Sequence, residues 1–195
     1  GLVDLPHVSH LRLAVHLILA FIIIAYSFWI ILLISNTSLK KVSTNQLLNL
    51  SYFILFLIGV QTTFGAFTAG LKAGYSWNTF PLMDGVLFSK NLFYMKPWWN
   101  NIINDKMTIQ FMHRFFGTIL LLSTFYLKFK SYQINVTSQH RYSINLLVIC
   151  TTIQYMLGIM TLLLYIPTGL GVLHQIGAII TTLLCLLTIF NLKYS

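Results

Sequence analysis

Leu13–Ile34 reads LAVHLILAFIIIAYSFWIILLI, an apolar run interrupted only by His16, Tyr26 and Ser27. At 1.5 Å per residue, about 20 such residues cross the roughly 30 Å hydrocarbon core of a bilayer. The run therefore predicts a membrane-spanning helix. Four more runs follow at Asn49–Gly70, Thr108–Leu127, Ile144–Leu164 and Gly171–Leu192, and within all five the only Asp, Lys or Arg is Arg114. The first is too long for a signal peptide and no basic segment precedes it. The expected fold class is an all-α integral membrane protein with five transmembrane helices, the last four forming an antiparallel four-helix bundle.

Composition agrees. Of 195 residues, 57% are hydrophobic and 8% charged, the reverse of what a water-exposed surface requires. Twelve Lys and Arg face three acids, Asp4, Asp84 and Asp105, with no Glu. A site needing a Glu from this chain as base, relay or ligand is excluded. The basic residues divide by loop: Lys40, Lys41, Lys128, Lys130, Arg141 and Lys193 on one side, free of acids, and Lys72, Lys90, Lys96 and Lys106 with Asp84 and Asp105 on the other. By the positive-inside rule the first set faces the cytoplasm or matrix and the second lies outside. Scattered over both sides, these charges do not make a nucleic-acid footprint.

The outer segment Leu71–Met107 carries Trp77, Trp98 and Trp99 with Tyr75, Phe80, Phe88, Phe93 and Tyr94. This is the composition of an interfacial belt or a short surface helix, placed to cover the outer end of a site between helices. Cys150 and Cys185 lie within helices without a CxxC partner and read as buried free thiols.

Six histidines separate into two groups. His7, His10 and His140 fall outside the apolar runs and read as solvated or interfacial. His16, His113 and His174 lie a few residues into the first, third and fifth runs, all three of which start from the outer side, so they share one layer. One polar residue in a membrane helix is ordinarily a hydrogen-bonding residue. Three at matched depth point to function, and facing imidazoles suit a transition metal or the axial positions of a haem. Small residues beside them favour a flat macrocycle: Ala20 after His16, Gly117 after His113, and Gly171, Gly177 and Ala178 around His174. Arg12, Lys72, Lys106 and above all Arg114 are candidates to pair with haem propionates. Arg12–Ala20 (RLAVHLILA) and Leu170–Ala178 (LGVLHQIGA) are weakly alike. That likeness predicts a four-helix unit occurring twice, with only the last helix of the first copy present and roughly three helices missing before Gly1.

In VSHLRLAVHLILA (Val8–Ala20), GAFTAGLKAGYSWNTFPLMDG (Gly65–Gly85), QFMHR (Gln110–Arg114) and GIMTLLLYIPTGLGVLHQIGA (Gly158–Ala178), the chain resembles the C-terminal part of the heme A synthase family, proteobacterial and mitochondrial type. The resemblance implies eight helices in two four-helix halves, of which residues 1–48 supply the last helix of the N-terminal half plus a linker and 49–195 the C-terminal half. It implies His113 and His174 as axial ligands of haem b, with Arg114 as a propionate contact, and His16 toward the substrate, heme O. The implied reaction oxidises the C8 methyl of heme O to the formyl of heme A for cytochrome oxidase. Implied partners are the lipid bilayer, heme O synthase and a redox donor such as a ferredoxin, with a homo-oligomer left open. The implied location is the bacterial inner membrane or the mitochondrial inner membrane, with the haem layer toward the periplasm or intermembrane space. The family's N-terminal half carries a catalytic Glu three residues before its histidine. Here the corresponding position before His113 is Gln110, and the chain is expected to be inactive alone. A bis-histidine cytochrome b that only passes electrons is the alternative, and a transporter or assembly protein with structural histidines a third reading.

Overall fold

The computed structural model describes residues 9–36 and 45–194. His7, Lys40 and Lys41, read above as loop residues, lie outside the described residues. Among the described residues there are five long helices, α1 (His10–Ser35), α2 (Asn45–Gly70), α4 (Lys106–Gln133), α5 (Ser138–Leu163) and α6 (Thr168–Lys193), and a short α3 (Trp99–Asn104).

Most helices begin earlier than their apolar runs because polar residues form the first turn. Asp105 caps α4, its Oδ2 accepting from Thr108 N at 2.9 Å and from Thr108 Oγ1 at 2.6 Å. Thr137 caps α5 in a capping box whose third residue is His140: Thr137 Oγ1 accepts from His140 N, and His140 Nδ1 accepts from Thr137 N, both at 3.3 Å. With Nδ1 accepting, the ring proton resides on Nε2, which donates to Asn191 O of α6 at 2.8 Å. His140 is 1% exposed. The expectation of a solvated loop histidine is corrected: its own hydrogen bonds carry it into the helix and the protein interior. His10 is corrected likewise, since it opens α1 and sets its ring edge-on to Phe67 of α2 at 5.7 Å.

Four helices, α1, α2, α5 and α6, are long and apolar enough to cross a membrane. The fifth expected span, α4, is as long but less apolar, carrying Gln110, His113 and Arg114 in its outer half and Lys128 and Lys130 at its inner end. It crosses between α2 and α5 with Thr108, Gln110, Thr124 and Ser131 turned into the protein. Helices α2, α4, α5 and α6 pack as a ring in that order, closing α6 on α2, so α4 and α6 are diagonal partners. Helix α1 lies outside against α2 and α6, where Trp29 meets Phe190 edge-on at 5.6 Å. The molecule is an integral membrane protein with the bundle architecture expected.

Packing is uneven along the bundle. The apolar core is a cluster in the inner half, including Leu47, Ile54, Leu127, Ile144, Leu147 and Leu192. Farther out, no residue is buried between Ile58 and Phe64 of α2, between Gln110 and Leu120 of α4, between Thr151 and Thr161 of α5, or ahead of Thr181 in α6. That loosely filled layer is the level of His113 and His174.

Candidate functional site

His113 of α4 lies across Gly65 of α2, where a Cβ on the glycine would sit 3.2 Å from His113 Cε1. The contact is reciprocal. Gln61, one turn from Gly65, lies over Gly117, one turn from His113, with its Nε2 3.0 Å from the position of a Gly117 Cβ. Residues four apart share a helix face, so two antiparallel helices each offer one polar side chain and one glycine, and each side chain occupies the other's glycine. Gln61 Nε2 is 3.4 Å from His113 Nε2.

Helices α5 and α6 repeat the arrangement. His174 lies across Gly158, with its Cε1 2.9 Å from where a Cβ would be, and Gln154 lies against Gly177. Gln154 Nε2 donates to His174 O at 2.7 Å. The two pairs thus use Gln61-x3-Gly65 and Gln154-x3-Gly158 on one helix, and a histidine followed by glycine on the other. The glutamines are neutral and do not stand out in the apolar runs as the histidines do. The signal was present as Gln-x3-Gly-x2-Thr, at Gln61–Thr68 and again at Gln154–Thr161.

His113 and His174 stand on the diagonal helices α4 and α6. His113 Nδ1, His174 Nδ1, Gln61 Oε1 and Gln154 Oε1 are all buried without a hydrogen-bond partner among the described residues. Unpaired buried polar atoms are costly unless something else engages them. No group of three or more His, Cys, Asp or Glu converges among the described residues. Two imidazoles with glycines beneath them and no third ligand suit an iron macrocycle, which brings its own four nitrogens, better than a bare zinc or copper ion.

His16 is not brought to this layer's interior. It is exposed on α1, beside Leu11, Arg12, Val15 and Leu19 in an open hollow formed by α1 alone. Arg12, Lys72 and Lys106 are also exposed. Arg114 is half-buried and holds the outer segment: its Nη1 donates to Thr79 O at 2.8 Å and Leu82 O at 3.4 Å, and its Nη2 to Trp77 O. Its Nε is buried and unpartnered. Gln110 Nε2 adds a bond to Ser76 O at 2.8 Å. Asn78 Nδ2 ties the same stretch to Leu162 O of α5 at 2.8 Å. Residues 76–82 therefore form a strap fixed across the outer ends of α4 and α5, while Tyr75, Phe88, Tyr94, Trp98 and Trp99 remain exposed around it as an aromatic belt. Between this irregular strap and α4 lies a short helix, α3.

Residues 1–187 match the family model COX15-CtaA, described as cytochrome oxidase assembly protein. The chain belongs to this family. Among COX15-CtaA relatives, it is 41% identical over 183 residues to the heme A synthase of Wolbachia pipientis subsp. Culex pipiens (strain wPip), covering 92% of this chain and 53% of that protein. The heme A synthase of Nitrosospira multiformis is 40% identical over 184 residues, covering 92% and 51%, and that of Flavobacterium johnsoniae 37% over 182 residues, covering 91% and 53%. The chain spans about half the length of the curated relatives it matches. No solved structure matches it significantly. Membership in COX15-CtaA implies a haem-related cofactor, which agrees with the donor set found here.

Proposed function

We propose that this chain is the C-terminal part of a heme A synthase and forms its haem b half-site, with His113 and His174 as axial ligands. The observation that carries this reading is the pair of matched histidine–glycine contacts on diagonal helices, with both Nδ1 atoms buried and unpartnered. On this reading residues 49–195 are the C-terminal four-helix half, and 1–48 supply the last helix of the N-terminal half with its linker. His16, facing outward on α1, is then available to a substrate heme O held by that other half. The membrane is the bacterial or mitochondrial inner membrane, with the histidine layer toward the periplasm or intermembrane space. Heme O synthase and a ferredoxin-like donor are the proposed partners for substrate and electrons.

When bound, the haem supplies one-electron chemistry for oxidising the C8 methyl of heme O to the formyl of heme A. The chain's own residues do the rest. His113 and His174 would hold the haem, and Gly65 and Gly158 leave room for the imidazole rings. Arg114, whose Nη1 and Nη2 keep the strap in place, would offer its unpartnered Nε to a propionate. Gln110 and Asn78 pin the strap so that water is excluded from the outer mouth. No Glu is present to serve as the catalytic carboxylate, so the chain by itself does not turn over heme O.

Absorption and electron paramagnetic resonance spectra of the haem-loaded protein test the assignment. The expected result is a low-spin bis-imidazole signature that is lost in His113→Ala and in His174→Ala. An unchanged signature in either variant overturns the ligation, and formation of heme A by this chain alone overturns the claim of inactivity.

A further inference from the structure

At the end of the bundle away from His113 and His174, basic residues gather around one turn. Lys128 and Lys130 lie in the last two turns of α4 and Arg141 in the first turn of α5, with residues 134–137 joining the two helices. Lys130 Nζ lies 5.6 Å from the centre of the Tyr126 ring, and the Arg141 guanidinium 5.8 Å from that of Tyr132. The second contact crosses from α5 to α4. Lys128 precedes Tyr132 by one turn, so one face of α4 carries both Lys128 and the ring on which Arg141 rests. Among the described residues every cation over an aromatic ring is at this end, the others being Lys193 over Trp29 and over Tyr194.

These charges have no side-chain carboxylate to answer them. No Asp or Glu follows Asp105 in the sequence, and Asp84 and Asp105 belong to the outer segment. Lys130 bonds only to a neutral acceptor, Gln133 Oε1, at 3.1 Å. Like charges brought together repel, and an anion between them removes that repulsion. The rings hold the cations in place through their negative faces but offer no neutralising charge. Toward the middle of the bilayer the same flank is apolar: Phe125, two turns before Tyr132, and Ile149, two turns after Arg141, are both exposed. The occupant that fits carries an anion at the rim and hydrocarbon beneath it.

We propose that Lys128, Lys130 and Arg141, with Tyr132, form a site at the inner α4–α5 turn for the phosphate of an anionic phospholipid, whose acyl chains lie along Phe125 and Ile149. Basic pockets between membrane helices on this side of a bilayer suit such head groups. The bound lipid bridges α4 and α5 where only a short turn joins them. The site uses no residue of the histidine layer and stands independently of the haem reading.

The full chain in a neutral detergent, titrated with dioleoyl phosphatidylglycerol or dioleoyl phosphatidylcholine, tests this by native mass spectrometry and thermal unfolding. Phosphatidylglycerol is expected to be retained and to raise the unfolding temperature, and phosphatidylcholine to do neither at the same concentration. Each basic residue near an anionic surface contributes about fivefold in affinity, so Lys128→Gln with Arg141→Gln is expected to weaken phosphatidylglycerol binding about 25-fold. Lys90→Gln with Lys96→Gln removes the same charge from the outer segment and is expected to leave binding unchanged. Equal affinity for the two lipids, or equal weakening by the two double variants, overturns the proposal. So does inorganic phosphate that raises the unfolding temperature as far as phosphatidylglycerol does, since an anion without acyl chains would then suffice. Should the inner double variant not be recovered folded, Lys128→Gln alone decides: about fivefold weakening is expected, and none overturns the site.

Discussion

Gly65 and Gly158 each lie under an imidazole, and the space above them is already taken by ring atoms at 3.2 and 2.9 Å from a notional Cβ. Gly59, one and a half turns before Gly65 in the same helix, has nothing within 4 Å. Alanine is favoured over glycine in a helix interior by about 1 kcal/mol, so Gly59→Ala is expected to raise thermal stability slightly and leave haem binding alone. Gly65→Ala and Gly158→Ala are expected to push the ring out of place and reduce haem occupancy several-fold, read by haem absorbance per protein at equal loading. Equal occupancy in all three variants would refute the cradle. Residues of this kind were only partly legible. The histidines stood out in the sequence as ionisable groups in hydrocarbon, but which glycine faced which ring depended on antiparallel register between helices far apart in the chain. His140 was misread because SQHRYS before Ile144 has the composition of a loop, whereas the Thr137 cap turns it into the first turns of α5.

At the level of elements, α4 is distinctive in carrying both a ligand candidate and the fastening of the outer strap. Arg114 follows His113 directly, and its fork is filled by carbonyls of Trp77, Thr79 and Leu82. A guanidinium in this setting makes several bonds at fixed angles, which an ammonium cannot reproduce. Arg114→Lys is therefore expected to loosen residues 76–82 and increase protease cleavage there at least several-fold, measured by limited proteolysis in detergent. Cleavage at the unsubstituted rate would show that Gln110 and Asn78 hold the strap unaided. The apolar runs were enough to foresee each long helix, while the strap was not foreseeable: its form depends on main-chain carbonyls from one segment meeting side chains from α4 and α5. Part of the polarity of α4 has the same explanation, since Gln110, Arg114 and Thr118 bond to other segments of the protein.

For the whole molecule, the charge distribution makes a topological prediction. Lys90 belongs to the outer segment and Lys193 to the inner end of α6. With Cys150 and Cys185 replaced by serine, Lys90→Cys is expected to react with a membrane-impermeant maleimide in intact cells, and Lys193→Cys only after lysis. The opposite pattern would invert the orientation. This orientation is proposed from loop charge, a property of composition, whereas the uneven filling of the bundle is a property of three-dimensional packing and was not legible in the sequence. That unevenness bears on biogenesis. The inner half brings α2, α4, α5 and α6 together through Leu47, Leu127, Ile144, Leu147 and Leu192, with His140 locking α5 to α6 at the same end. The helices thus have a means of finding their alignment in the bilayer from side chains alone. On the haem reading proposed above, the prosthetic group would enter a scaffold whose alignment is already settled.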